Sequence, residues 1–178
     1  ICGGGVKYSG ANAALQAFAE RFEIPFAETQ AGKSAVVSSH PLNVGGIGET
    51  GCLAANLLAP EADLIIGIGT RYTDFTTSSK SLFKHADVQF LNLNISPCDA
   101  LKLDGVQVLA DAQVALEALA AALGDYRAGW GEQVRDARAQ LDAEVDRVHQ
   151  VEYAGDDFVP EVNDRSEERR VGKECPRC

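Results

Sequence analysis

The sequence has no methionine, a single tryptophan and only three histidines in 178 residues. The histidines, His40, His85 and His149, stand far apart, and no Cys, His, Asp or Glu spacing matches a metal centre. No Ser/His/Asp set has the signature of a nucleophilic triad. Basic residues are also scarce: 16 Lys and Arg face 26 Asp and Glu, a formal charge of −10. That balance argues against a nucleic-acid footprint. No apolar run approaches the roughly 18–20 residues of a membrane helix; the longest, residues 64–68 and 114–123, suit a buried core. The start lacks the charged, apolar and small-residue regions of a secretory signal, so none is expected. The sequence opens on Ile1-Cys2-Gly3-Gly4-Gly5, which reads as a buried strand. With no initiator methionine, the expectation is an interior piece of a longer protein.

What is present is a globular composition, 46% hydrophobic and 24% charged. Its charge falls into three blocks. Residues 1–123 carry 7 basic and 12 acidic groups, residues 124–164 carry 4 and 11, and residues 165–178 carry 5 and 3. The last block has no apolar period and resembles a translated sequencing adapter, so it is read as a non-native tail outside the fold. A Cys175-Pro176-Arg177-Cys178 pair would supply two of the about four ligands that zinc needs. Cys2, Cys52 and Cys98 are widely and irregularly spaced within structured-looking segments, and the expectation is buried free thiols.

Residues 1–123 alternate strand and helix. Residues 1–5 read as a first strand, and residues 9–22 as a helix with Ala11, Ala14, Leu15, Phe18, Ala19 and Phe22 on one face. Residues 24–28 read as a second strand, 29–50 as a long irregular stretch, and 50–58 as a helix capped by Thr50. Residues 62–69 and 88–95 are near-continuous apolar runs, as in strands covered on both faces. Thr76, Thr77, Ser78 and Ser79 between them read as the cap of a helix through Phe83. Residues 106–109 form a last strand, leading through Asp111 into a helix over 112–123. Strands joined by helices give right-handed crossovers. The fold class expected is α/β: a doubly wound, Rossmann-like parallel sheet of five or six strands. Within residues 124–153, Tyr126, Trp130, Val134, Ala137, Leu141, Val145 and Val148 form one stripe. A long amphipathic helix is expected there, packing on this domain or a missing one, and an acidic linker over 154–164.

Several motifs bear on chemistry. The run Gly3-Gly4-Gly5 through Ser9-Gly10-Ala11 follows a strand and opens a helix, so its N–H groups either bind an anion or only close a tight turn. Tyr8 breaks the dinucleotide fingerprint, and Ala11-Asn12 replaces the Lys-Ser/Thr of a phosphate loop. Gly32-Lys33-Ser34 lacks the upstream glycine of a Walker loop, because residue 27 is alanine. Lys33 and His40 either face a substrate or are solvated loop residues. Arg71 lies just past the strongest strand, where open sheets bind ligands. It either grips a phosphate or carboxylate or pairs with Asp74.

The order of these motifs resembles the central domain of thiamine-diphosphate-dependent enzymes. The residues carrying the resemblance are Gly3-Gly4-Gly5 with Ser9-Gly10-Ala11, Ile24-Pro25 with Glu28-Thr29, Gly32-Lys33-Ser34, His40-Pro41-Leu42, Gly45, Gly48, Ala62-Asp63-Leu64, Gly67-Ile68-Gly69-Thr70-Arg71 with Asp74, and Asn94-Ile95. Residues 4–10, 27–34 and 69–77 are similar to the trihydroxycyclohexane-1,2-dione hydrolase family of inositol breakdown. That resemblance implies hydrolysis of a carbon–carbon bond, opening a cyclic 1,2-diketone to a deoxy-ketoacid. It also implies thiamine diphosphate, Mg²⁺ and a cytoplasmic bacterial homo-oligomer. Acetolactate synthase is the runner-up, but it has Met-His at Gly46-Ile47, Asp at Thr73 and Arg at Phe75; these departures weaken both that activity and the flavin that goes with it. The family's activating carboxylate and its Gly-Asp-Gly motif belong to flanking domains, and this sequence has no Gly-Asp-Gly. The fragment alone is therefore expected to be inactive, with no catalytic residue of its own. Its candidates for the substrate cleft or a nucleotide are Gly4, Gly5, Ser9, Gly10, Lys33, His40, Arg71 and Asp74. A non-catalytic flavin- or ADP-binding module is the alternative from a different class.

Overall fold

A parallel sheet whose central position is only one residue deep organises the domain. The computed structural model describes residues 1–150. Two short helices open the chain, α1 (Gly4–Tyr8) and α2 (Asn12–Phe22). They are followed by β1 (Phe26–Glu28), β2 (Asn43–Gly46), α3 (Leu53–Leu58), β3 (Leu64–Ile68), α4 (Asp74–Thr77) and β4 (Gln89–Asn94). The rest comprises α5 (Pro97–Ala100), β5 (Val106–Leu109), α6 (Ala112–Leu123) and α7 (Gly131–His149).

β1 pairs with β2, and β3, β4 and β5 pair in that order, all parallel. Cys2 bridges Glu28 on one side and Ile68 on the other, again in parallel. It therefore joins the two groups into the order β2-β1-Cys2-β3-β4-β5. The chain winds outward in one direction from Cys2 to β2 and in the other from β3 to β5. The doubly wound α/β expectation holds, with five strands and a bridging residue rather than five or six full strands. Residues 1–5 do not form a full strand because α1 already begins at Gly4.

Side-chain alternation divides the core between the two faces. On one face Cys2, Phe26, Ile68 and Leu93 pack with Leu15, Phe18, Ala19 and Phe22 of α2 and with Ala112, Ala115 and Leu116 of α6. The helical spacing of these residues is what makes each helix one-sided. Asp111 caps α6, its carboxylate accepting from the Gln113 N–H at 2.9 Å. On the other face Ala27, Val44 and Ile47 pack with Ala54 and Ala55 of α3 and with Val134 and Ala137 of α7. The amphipathic helix thus covers part of its stripe on this domain. Arg138 reinforces the contact, its Nη1 donating to the carbonyls of His40 at 2.5 Å and Asn43 at 2.6 Å. Residues 1–143 form one unit, and α7 continues beyond it from Glu144. There Arg147 grips Glu144 through two hydrogen bonds, at 2.7 and 2.6 Å.

Other expectations need correction. β2 lies inside the stretch read as irregular. The helix after β2 starts at Leu53, because the Thr50 hydroxyl accepts from Gln30 Nε2 instead of capping. The cluster Thr76–Ser79 opens no helix; Ser78 instead ends α4 as its C-cap, its N–H donating to Asp74 O. α4 is already formed at Asp74 and ends at Thr77, since Ser78, Ser79 and Lys80 all take left-handed φ values of 47°, 53° and 67°. The long helix begins at Gly131 rather than Tyr126. Of the three cysteines among the described residues, only Cys2 is buried; Cys52 is half-buried and Cys98 exposed. The acidic linker 154–164 and the tail 165–178 lie outside the described residues. No helix among the described residues is long and apolar enough to cross a membrane.

Candidate functional site

The carboxyl ends of the strands meet where the winding changes direction, the usual ligand position in an open α/β sheet. Glycines allow two backbones to touch there. The Gly3 N–H donates to Ile68 O at 2.8 Å and the Gly5 N–H to Gly69 O at 3.0 Å. A Cβ on Gly5 would fall 2.6 Å from Gly69 Cα, closer than real contacts allow. These bonds use the N–H groups of Gly3 and Gly5 to hold the turn. A Cβ added at Gly4 would lie 3.1 Å from Ala31 Cβ.

Beside this contact lies a cleft of about 150 Å³ lined by Gly5, Ser9, Gly69, Asn94 and Asp111, with Tyr8 and Ile95 at its edge. Tyr8 is 93% and Ile95 78% exposed, so two apolar surfaces flank the opening. Gly10 closes the turn after α1 at φ 69° with open space around it. The structure thus brings Gly5 and Ser9 together with Gly69. Lys33 lies on the segment after β1, exposed, its carbonyl accepting from Lys7 Nζ at 3.3 Å.

His40 is placed elsewhere. It precedes β2 at the amino ends of the strands, buried against Phe26. Its Nδ1 accepts from the Leu42 N–H at 3.2 Å, so Nε2 carries the proton and donates to Glu20 Oε1 at 3.0 Å. Hydrogen bonds from Gln16 and then His40 hold the Glu20 carboxyl below the usual carboxylate range. His40 packs here, on the segment before β2 and so at the opposite end of the strands from the carboxyl-end cleft.

Arg71 and Asp74 follow β3 and are both exposed. The ion pair weighed between them is not among those formed by the described residues, which join His40 to Glu20, Lys102 to Asp99 and Arg147 to Glu144. The backbone around Arg71 is held closely. Thr70 O accepts from Asn94 Nδ2 at 2.9 Å, and Arg71 O accepts from Lys102 Nζ at 2.6 Å. Tyr72 is buried with a left-handed φ of 45°, a conformation costing on the order of 1–3 kcal/mol for such a residue. Its hydroxyl donates to Asn92 Oδ1 at 2.8 Å, and burial pushes its acidity well below that of a free phenol.

Further hydrogen bonds lace the loops after β1, β2 and β3. Gln30 reaches Thr50 at 3.0 Å, and Asn56 both donates to and accepts from the Gly48 backbone, at 2.8 and 3.0 Å. The Glu49 N–H donates to Phe75 O at 2.8 Å. Glu28, at the end of β1, is buried, and its Oε1 has no partner among the described residues. Sequence reasoning missed Gln30, Asn56, Tyr72 and Asn92. A signal existed for Asn92: it interrupts the apolar run of β4. Among the described residues no group of three or more His, Cys, Asp or Glu is placed to hold a metal ion.

Comparison with known proteins adds to this geometry. Residues 1–119 match the family model described as the thiamine pyrophosphate enzyme central domain. A 3D-(3,5/4)-trihydroxycyclohexane-1,2-dione hydrolase of Bacillus thuringiensis (strain Al Hakam) is 56% identical over 164 residues, covering 91% of this chain and 26% of the relative. The protein of the same name from Bacillus cereus (strain AH820) is 54% identical over 170 residues, covering 94% of this chain and 26% of the relative. The chain thus spans about a quarter of the length of these relatives.

Proposed function

Because the chain belongs to the thiamine pyrophosphate enzyme central-domain family, we propose that it is the middle portion of a longer hydrolase that opens the ring of a cyclic 1,2-diketone in inositol breakdown. The observation that carries this reading is the 54–56% identity to ring hydrolases over at least 91% of the chain. It favours the ring hydrolase over an acetolactate synthase. In the net reaction water splits the bond between two carbonyl carbons. One carbon takes the hydroxyl and becomes a carboxylic acid; the other takes the hydrogen, so the remaining oxo group is an aldehyde and the product is an aldehyde-acid, not the deoxy-ketoacid expected above.

The residues present do not fit thiamine diphosphate. Its diphosphate is held through a divalent cation, and this chain has neither a Gly-Asp-Gly sequence nor a metal-holding cluster among its described residues. In this reading, cofactor and Mg²⁺ are held by flanking domains of the same longer chain, in a cytoplasmic homo-oligomer. The central domain braces those domains and lends loop residues to the substrate cleft. Lys33, Arg71 and Asp74 are the candidates, all exposed on segments that follow strand carboxyl ends. The cleft between Tyr8 and Ile95 supports a second reading, a nucleotide bound by this domain, because its two apolar edges suit a planar ring.

The test is a substrate comparison with the full-length protein, thiamine diphosphate and Mg²⁺. Acid release from the trihydroxylated cyclohexane-1,2-dione, with no acetolactate from pyruvate, is the expected result. Acetolactate formation with no ring opening would contradict it. A flavin absorption band in the purified protein would support the second reading.

A further inference from the structure

We propose that Tyr72 and Asn92 are positioning residues that hold Arg71 toward the substrate, a proposal that rests on the reading of Arg71 as a cleft residue. The Arg71 backbone is fixed from four sides. Asn94 holds the preceding carbonyl, Lys102 holds Arg71 O, the Tyr72 N–H donates to Thr70 Oγ1 at 3.3 Å, and the Tyr72 hydroxyl is bolted to Asn92.

The bolt has one direction. Asn92 Nδ2 donates to Ala100 O at 3.0 Å and to Lys102 O at 2.8 Å, so Oδ1 is left to accept and the tyrosine must donate. Its site is shaped for the phenol: a Cβ on Gly67 would lie 1.9 Å from the Tyr72 oxygen, and Phe90 meets the ring edge-on at 6.1 Å. A bulky residue stays in the left-handed region only where its surroundings over-determine it. Lys102 lies between α5 and β5 and Asn92 on β4, yet both converge on this turn.

Arg71 benefits from this bracing. Its side chain is the exposed, charged group that the braced turn presents, and it makes no ion pair among the described residues. A guanidinium on a fixed backbone loses less freedom when it binds. Its fork matches two adjacent oxygens, as a 1,2-dicarbonyl or a vicinal diol presents. The ligand class assigned to this turn is therefore a small molecule with neighbouring oxygen atoms.

The test is a double-mutant cycle in the full-length enzyme with the cyclic diketone as substrate, using Arg71→Ala, Tyr72→Phe and the pair. Tyr72→Phe is expected to raise KM about tenfold with kcat within about a factor of two, and to add nothing in the Arg71→Ala background. An equal effect in both backgrounds would make Tyr72 purely structural and overturn the proposal. If Arg71→Ala leaves KM unchanged, the reading of Arg71 as a cleft residue falls instead, and with it the premise. Should Tyr72→Phe not fold, Lys102→Met releases the Arg71 carbonyl from the surface. A KM rise of about threefold supports the proposal; an unchanged KM overturns it.

Discussion

Gly5 and Gly69 touch backbone to backbone, with the Gly5 N–H on the Gly69 carbonyl at 3.0 Å and no room for a Cβ between them. The contact seats α1 against the loop after β3 and so sets the floor of the cleft. Gly5→Ala forces two backbones apart and is expected to cost about 2–3 kcal/mol of stability, read from urea midpoints. Gly10→Ala meets open space and carries only the backbone strain of its positive φ, about 1 kcal/mol. Equal losses at the two sites would show that the Gly5 contact is not tight.

Cys2 gives the stability a pH dependence. Burial first, with Glu28 adding to it, raises the thiol from the usual 9.0 to about 11. Between those values the unfolded chain has lost the proton and the folded chain keeps it. Stability is therefore full below pH about 9 and falls as pH rises toward 11, by about 2–3 kcal/mol in all. Cys2→Ala is expected to remove this part of the slope in unfolding curves measured across that window.

Arg138 ties α7 to the segment before β2. Arg138→Met deprives two carbonyls of a charged donor and is expected to cost about 1.5–3 kcal/mol. Hydrogen exchange should then quicken in residues 131–143 and 37–43, and leave β3 and β4 as they were. Uniform loss of protection would instead mean that the helix is integral to the whole core.

Thiamine diphosphate with Mg²⁺, titrated calorimetrically into this chain, is expected to give no binding heat. Micromolar affinity would mean that the central domain holds the cofactor itself.

Much of the fold was legible where local signals agree. The Asp111 cap and the spacing of Ala112, Ala115 and Leu116 mark α6 to the residue, and the apolar runs of β3 and β4 declare covered strands. β2 was hidden because Asn43-Val44-Gly45-Gly46 has little intrinsic strand preference; pairing with β1 makes it a strand. The site was less legible for the same reason. The Gly5–Gly69 contact spans 64 residues, so the sequence displays the glycines without their use. His40 looked like a free loop residue because its partner Glu20 is 20 positions away. Tyr72 and Asn92 are equally separated, and nothing local announces their bond.

The most direct test of the central claim is to run the full-length protein on the trihydroxylated cyclohexane-1,2-dione in ¹⁸O-enriched water. The open-chain product is then back-exchanged in ordinary water and weighed by mass spectrometry. Hydrolytic ring opening predicts an acyclic acid that keeps at least one ¹⁸O in its carboxyl group, while the exchangeable aldehyde oxygen loses its label. An unlabelled carboxyl group, or a product made by joining two substrate molecules, would contradict the assignment of this domain to a ring hydrolase.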